Sequence, residues 1–209
     1  MSDYGLLDGI REIKEEVPTH FSSKYLELEK DRPVMDECLL NSLSSADMLL
    51  LEAEFSDLEI KEAVWDCEGA KSPGPDGYNF TFIRNCWHFM KVDISRFIKD
   101  FHSKAKLSKS ITSSFLSLVP KKMNPLSLDD YCPIFLVGCL HKIISKLLDV
   151  CLKRVLDELI SRNQSTFIHG RQMLDKVLIV NEVVDFSTRE NKQCLLFKVD
   201  FEKAYDKVN

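Results

Sequence analysis

The stretch that decides the fold is Cys194-Leu-Leu-Phe-Lys-Val-Asp200, which is followed by Phe201-Glu-Lys-Ala-Tyr-Asp-Lys-Val208. Its first part is a short apolar run, typical of a buried strand, and its second part repeats apolar residues at helical spacing. Asp200 lies where the predicted strand ends and the predicted helix begins. A carboxylate held there by a packed strand is a suitable oxygen ligand for Mg2+ beside a substrate's phosphates. Because Asp is also a favoured helix N-cap, a purely structural role for Asp200 stays open.

The string from Val199 to Val208 resembles motif A of reverse transcriptases, and more narrowly that of plant LINE-type (non-LTR) retrotransposons, where an apolar strand leads into D-F-x-K-A-Y-D-x-V. The resemblance implies that Asp200 is the first of three metal-binding carboxylates and that the backbone carbonyl of Phe201 adds another oxygen. It also implies that Tyr205 is the steric gate that disfavours a ribose 2′-hydroxyl. Such enzymes join a primer 3′-hydroxyl to a nucleotide's α-phosphate with two Mg2+ ions.

A second segment, Lys71-Ser-Pro-Gly-Pro-Asp-Gly77, contains two prolines and two glycines and therefore predicts a tight, fixed loop. Read through Tyr78, it is similar to K-[AS]-P-G-P-D-G-[FY], which opens the polymerase domain of LINE-type reverse transcriptases. Rigid turns occur for structural reasons in most proteins, so the segment alone is only moderately specific.

The basic and polar loop 121–130 lies between two apolar runs and predicts a β-hairpin. In the family resembled, this hairpin belongs to the fingers, and its basic residues close on the triphosphate of the incoming nucleotide. Lys121 and Lys122 match those residues by position. The chain has Cys132 where the family has arginine and Phe135 where it has serine. The missing guanidinium removes a donor fork suited to phosphate oxygens.

The segment from Gln164 to Asp175 resembles Q-S-A-F-[IV]-x-G-R-x-[IL]-x-D, which in these polymerases lies against template and primer. Arg171 is therefore the candidate for a contact with the nucleic-acid backbone. A surface arginine at the start of a helix is an alternative of equal weight.

The fold class predicted for the chain is α+β and mostly helical. The elements predicted are a helix at about 57–67 behind the capping-box pair Ser56 and Glu59, a long helix over 80–101, strands at 115–120 and 131–136, and helices over 140–156 and 174–184. The resemblance implies a partial right-hand polymerase with fingers and the first palm strand, lacking the thumb and the catalytic Asp-Asp hairpin. Residues 1–55 are expected to form an acidic, weakly structured, linker-like segment, and residues 56–209 the truncated reverse transcriptase domain.

Charge is unevenly distributed along the 209 residues, whose net charge is −5. Residues 1–70 contain 6 Lys/Arg and 18 Asp/Glu, giving −12, whereas residues 71–209 contain 22 and 15, giving +7. Only the second part is suited to lie along phosphates, although a solvated helical face is the commoner source of a basic run.

The cysteine pattern and the N-terminus indicate an intracellular protein of the nucleus or cytoplasm. Seven cysteines without any C-x-x-C pair argue against a disulfide framework or a zinc site. We find neither the features of a signal peptide nor an apolar run of membrane-spanning length, so neither secretion nor a membrane partner is expected.

No Asp-Asp pair follows Asp200, because the single such pair is Asp129-Asp130 in the hairpin loop. One carboxylate cannot hold two Mg2+ ions, so the 209 residues are expected to be an inactive fragment of an RNA-directed DNA polymerase. The partners implied by the resemblance are an RNA template, a DNA primer and deoxynucleoside triphosphates. The alternative is a non-catalytic nucleic-acid-binding remnant. A receiver-type phosphoacceptor role for Asp200 is disfavoured, since repeated strand-helix units do not precede it.

Overall fold

The structure is a computed structural model of the chain that describes residues 9–26, 42–161, 164, 168 and 170–197. Within these residues the helices are α1 Ile10–Lys24, α2 Ser45–Glu52, α3 Asp57–Asp66, α4 Phe80–Asn85, α5 Trp87–Lys104, α6 Lys109–Thr112, α7 Cys139–Leu159 and α8 Met173–Arg189. The strands β1 Ser114–Pro120 and β2 Tyr131–Val137 pair in one two-stranded sheet. The predicted mostly helical α+β class is therefore confirmed. Its assignment to part of a right-hand polymerase stays a prediction.

The start of α3 follows directly from its sequence. Ser56 Oγ accepts a hydrogen bond from the backbone N–H of Glu59 at 3.2 Å, and Glu59 Oε2 accepts one from the backbone N–H of Ser56 at 2.9 Å. This is the predicted capping box, which satisfies two of the otherwise unpaired donors at a helix start. The bond from the Ser56 backbone also lowers the pKa of the Glu59 carboxyl.

The single long helix predicted over 80–101 is two helices, α4 and α5, which meet at Cys86. The backbone of Cys86 has φ −95° and ψ 7°, outside the helical range, although its N–H still donates to the carbonyl of Phe82 at 2.9 Å. Apolar residues continue at steps of three and four across this point. The hydrophobic period therefore does not reveal the break, since both helices bury the same stripe.

The contacts of the described residues divide the chain into two units. The first comprises the described residues within 1–38, 120–131 and 177–209, and the second comprises those within 39–119 and 132–176. The core of the second unit is a single apolar cluster with a fully buried isoleucine from each of three helices, namely Ile60 of α3, Ile98 of α5 and Ile143 of α7. Full burial of such a side chain contributes about 1.5–3 kcal/mol. The second unit is thus held together by α3, α5 and α7.

The buried strand predicted for residues 194–200 is not formed over its described part, residues 194–197. Leu195 is 91% exposed and Phe197 is 87% exposed. Among the described residues only β1 and β2 form a sheet. An apolar run predicts a strand but does not supply the neighbour that buries it.

The described part of residues 1–55 contains α1 and α2. The boundary at residue 55 and the linker-like character of this segment stay predictions. No helix in the described part of the chain has both the length and the apolar content needed to cross a membrane.

Candidate functional site

The loop Lys71–Gly77 is seated against the junction between β2 and α7. Gly74 is buried there, and a Cβ at its position would lie 2.4 Å from the carbonyl carbon of Val137 and 2.5 Å from the nitrogen of Gly138. Both are backbone atoms, so no side-chain rotation relieves the contact. Glycine at this position is therefore required by close approach of two backbone segments.

Asp76 in the same loop holds the start of α7. Its Oδ2 accepts a hydrogen bond of 2.5 Å from the backbone N–H of Cys139, the first residue of α7. A carboxylate at a helix N-terminus is stabilised by the unpaired N–H groups and by the helix dipole. Gly138 makes room for it, since a Cβ there would lie 2.8 Å from Asp76 Oδ2. The turn thus has a local structural role, since its Asp76 carboxylate caps α7.

Two further contacts fix the loop on α7. The Cys139 thiol donates to the carbonyl of Tyr78 at 3.1 Å, and Lys142 Nζ donates to the carbonyl of Ser72 at 3.1 Å. Burial, followed by the charge of Asp76, raises the pKa of the Cys139 thiol to about 11. The thiol therefore stays protonated at neutral pH and keeps its role as a donor.

The loop between β1 and β2 carries the two lysines predicted to bind a nucleotide. Lys121 Nζ donates to the carbonyl of Asp129 at 2.9 Å, and Lys122 Nζ lies 2.9 Å from Asp130 Oδ1. The other carboxylate oxygen of Asp130 accepts from the backbone N–H of Leu126 at 2.9 Å. These bonds, chiefly the one from Lys122, lower the pKa of Asp130 to about 2. Asp130 therefore organises the loop as an anion at neutral pH.

Both ammonium groups are engaged inside the loop, yet the Lys122 side chain remains 55% exposed. The Asp130 side chain is only 18% exposed, so a phosphate that binds Lys122 must compete with this ion pair. A role for Lys121 and Lys122 in nucleotide binding stays a prediction.

Arg171 forms hydrogen bonds within the chain. Its Nε donates to Asp157 Oδ1 at 3.1 Å, and its Nη2 donates to the carbonyls of Asp157 at 3.2 Å and Ile160 at 3.0 Å. Its Nη1 donates to the carbonyls of Ser161 and Gln164, each at 2.7 Å. The side chain is 16% exposed and donates to carbonyls at the end of α7 and just beyond it. A contact with nucleic acid stays a prediction, and it would require the guanidinium to leave these carbonyls.

Arg84 makes a similar contact that the sequence analysis missed. Its Nη2 donates to the carbonyls of Trp65, at 2.8 Å, and Cys67 at the end of α3. The signal for both arginines is that neither α3 nor α7 is followed directly by the glycine that commonly ends a helix. Their last carbonyls therefore need donors from elsewhere in the chain.

The predicted metal site lies outside the described residues, since these include neither Asp200, Phe201 nor Tyr205. Among the residues that are described, no group of three or more His, Cys, Asp or Glu side chains is arranged to hold a metal ion. The Mg2+ prediction is therefore neither confirmed nor contradicted.

No protein-family model matches the chain. The chain is similar to the transposon TX1 uncharacterized 149 kDa protein of Xenopus laevis, with 30% identity over 159 residues, which is 76% of this chain. The match supports an origin in a non-LTR retrotransposon. The chain spans 12% of the length of that protein.

Proposed function

We propose that the chain is the fingers and the beginning of the palm of an RNA-directed DNA polymerase from a plant LINE-type retrotransposon. The observation that carries the proposal is the motif-A string from Val199 to Val208, in a chain that is 30% identical to a transposon protein over 159 residues. Asp200 is assigned the role of metal-binding carboxylate, with the backbone carbonyl of Phe201 as a further ligand. Tyr205 is assigned the role of steric gate.

The geometry of the described residues is compatible with this assignment at two places. The Lys71–Gly77 loop fixes the start of α7 through Asp76, which gives the second unit a rigid frame. Lys121 and Lys122 follow one another on an exposed loop, where a triphosphate would compete with Asp129 and Asp130 for their ammonium groups. Arg171 supports the end of α7, and a role in touching template or primer is kept as part of the proposal.

Magnesium is the ion that the proposed chemistry requires, and it would activate the primer hydroxyl and stabilise the leaving pyrophosphate. One carboxylate and one carbonyl are too few ligands for two such ions. The 209 residues therefore do not provide the two-ion centre by themselves, and the proposed enzyme needs two further carboxylates after Asp200.

The proposal predicts what the DNA downstream of codon 209 encodes. Translation in all three frames is expected to give a tetrapeptide of the Phe-Ala-Asp-Asp type within about a hundred codons, because the three carboxylates of one metal centre belong to one polymerase domain. Sequencing the genomic DNA and translating it tests this directly. Absence of such a tetrapeptide from every frame would count against the polymerase assignment.

A second candidate function is nucleic-acid binding without catalysis. The net charge of +7 over residues 71–209 favours it, because that excess can neutralise phosphates whether or not a metal centre is present.

A further inference from the structure

A groove between α3 and α5 in the second unit has features that neither the motifs nor the comparison assigns. It has a volume of about 910 Å³. It is lined by four basic side chains, Lys61 of α3 and Lys91, Arg96 and Lys99 of α5, and by two acidic ones, Asp57 and Asp100. The groove is therefore net positive, although the whole chain carries −5.

Among the described residues two of these cations have no carboxylate partner, and a third, Lys99, is held only in an exposed ion pair, with side chains 51% and 74% exposed, which a phosphate can displace. Lys99 Nζ lies 3.6 Å from Asp57 Oδ1, and Arg96 Nη1 lies 3.4 Å from Asp93 Oδ1. In contrast, among the described residues no carboxylate pairs with Lys61 or Lys91. Ammonium groups without a carboxylate partner, one on each helix that lines the groove, attract a polyanion.

Apolar side chains also line the groove. Leu58 is 64% exposed and Val92 is 57% exposed, while Trp87 is half-buried beside them. Trp87 meets Trp65 edge to face with ring centroids 5.4 Å apart, and Lys61 Nζ lies 5.5 Å from the centre of the Trp65 ring. Aliphatic and indole surfaces beside cations are the surroundings in which unpaired bases are bound.

The spacing of the basic residues suits an extended strand of phosphates. Lys91 and Lys99 lie eight residues apart, which is about 12 Å along α5 at a rise of 1.5 Å per residue, with the Ser95 hydroxyl on the same face between them. Lys61 lies opposite on α3. A nucleic-acid strand lying along α5 would meet one cation after another while its bases contact the apolar side chains.

We propose that the α3–α5 groove binds a single-stranded nucleic acid, with phosphates on Lys61, Lys91 and Lys99 and a base against Leu58, Val92 and Trp87. The choice of nucleic acid as the ligand rests on the proposed function, whereas the position of the site is inferred from the side chains that line the groove. An acidic peptide could pair with the lysines, but it has no planar base to stack on the exposed apolar side chains. The groove therefore favours nucleic acid over peptide.

The test is fluorescence anisotropy with the 209-residue chain and a labelled single-stranded RNA of about 20 nucleotides. The variant combines Lys61→Gln with Lys91→Gln, and the control combines Lys14→Gln with Lys153→Gln, which removes the same charge from exposed lysines outside the groove. The groove variant is expected to raise Kd about tenfold or more at about 50 mM salt and to reduce the salt slope by about 1.4, since a single-strand phosphate contact contributes about 0.7. The control is expected to stay within about twofold of the unchanged chain.

The contribution of the bases is measured with an abasic strand of equal length and with polyglutamate as competitor. The RNA is expected to bind about fivefold more tightly than the abasic strand. Four results would each overturn the proposal. Two concern the ligand: equal affinity for the RNA and the abasic strand, or competition by polyglutamate as effective as that by RNA. The other two are an equal loss of RNA affinity in the groove variant and the control, and no binding of RNA at low salt. The search for downstream Asp-Asp codons is independent of these results, so failure of the groove and failure of the polymerase assignment are distinguishable.

Discussion

Replacing Gly74 by alanine is expected to lower the free energy of unfolding by about 2–4 kcal/mol, because the new methyl group meets backbone and not a movable side chain. The added Cβ would lie 2.4 Å from the carbonyl carbon of Val137. Relief requires the loop to move away from α7, which also weakens the bond from Cys139 to Asp76. Loss of a helix cap alone costs about 1 kcal/mol. Urea denaturation is expected to show a lower midpoint with an unchanged slope.

Gly77 in the same loop is the matched control. A Cβ there meets no atom within 4 Å, but its φ is +72°, which side chains adopt at a cost of about 1–2 kcal/mol. Gly77→Ala is therefore expected to destabilise the chain less than Gly74→Ala. A Gly74→Ala variant within about 0.5 kcal/mol of the original chain, or one more stable than Gly77→Ala, would contradict the proposed seating of the loop.

Replacing Arg171 by alanine is expected to lower the free energy of unfolding by about 2–4 kcal/mol, since it leaves carbonyls at the end of α7 without their charged donor. Arg171→Lys is expected to recover little of this, because an ammonium group cannot reproduce a planar fork that reaches Asp157, Ser161 and Gln164 together. Urea denaturation measures the loss. Amide hydrogen exchange is expected to become faster in the last turn of α7.

Arg189→Ala is the control for this experiment. Arg189 is 76% exposed and pairs with Asp185 one turn earlier in α8, so its loss is expected to cost no more than about 0.5 kcal/mol. RNA binding distinguishes the two possible roles of Arg171. If Arg171→Ala leaves the free energy of unfolding unchanged while RNA affinity falls about tenfold, the arginine contacts nucleic acid and does not stabilise α7.

Local patterns in the sequence predict most of the helices and the hairpin. The capping box at Ser56 and Glu59 predicts the start of α3, and the apolar period predicts α7 within three residues at either end. Both signals act over one or two helical turns, within the range that a sequence pattern covers. The break at Cys86 was missed because the same apolar stripe continues through it.

Contacts between distant segments were not predictable in this way. The sequence shows a rigid turn at Lys71–Gly77, but it does not show that Asp76 caps a helix that begins 63 residues later. The resemblance predicts that Arg171 contacts template or primer, but it does not predict that the guanidinium contacts the chain's own carbonyls. For residues 194–197 the apolar run predicts a buried strand. Burial also depends on a partner strand, which the run itself does not supply.

The most direct test of the polymerase assignment is Mg2+-dependent primer extension on an RNA template. The 209-residue chain is expected to incorporate no nucleotide, whereas a chain continued through downstream Asp-Asp codons is expected to extend the primer and to lose this activity on Asp200→Ala. Incorporation by the 209-residue chain, or activity of the continued chain that survives Asp200→Ala, would contradict the role assigned to Asp200.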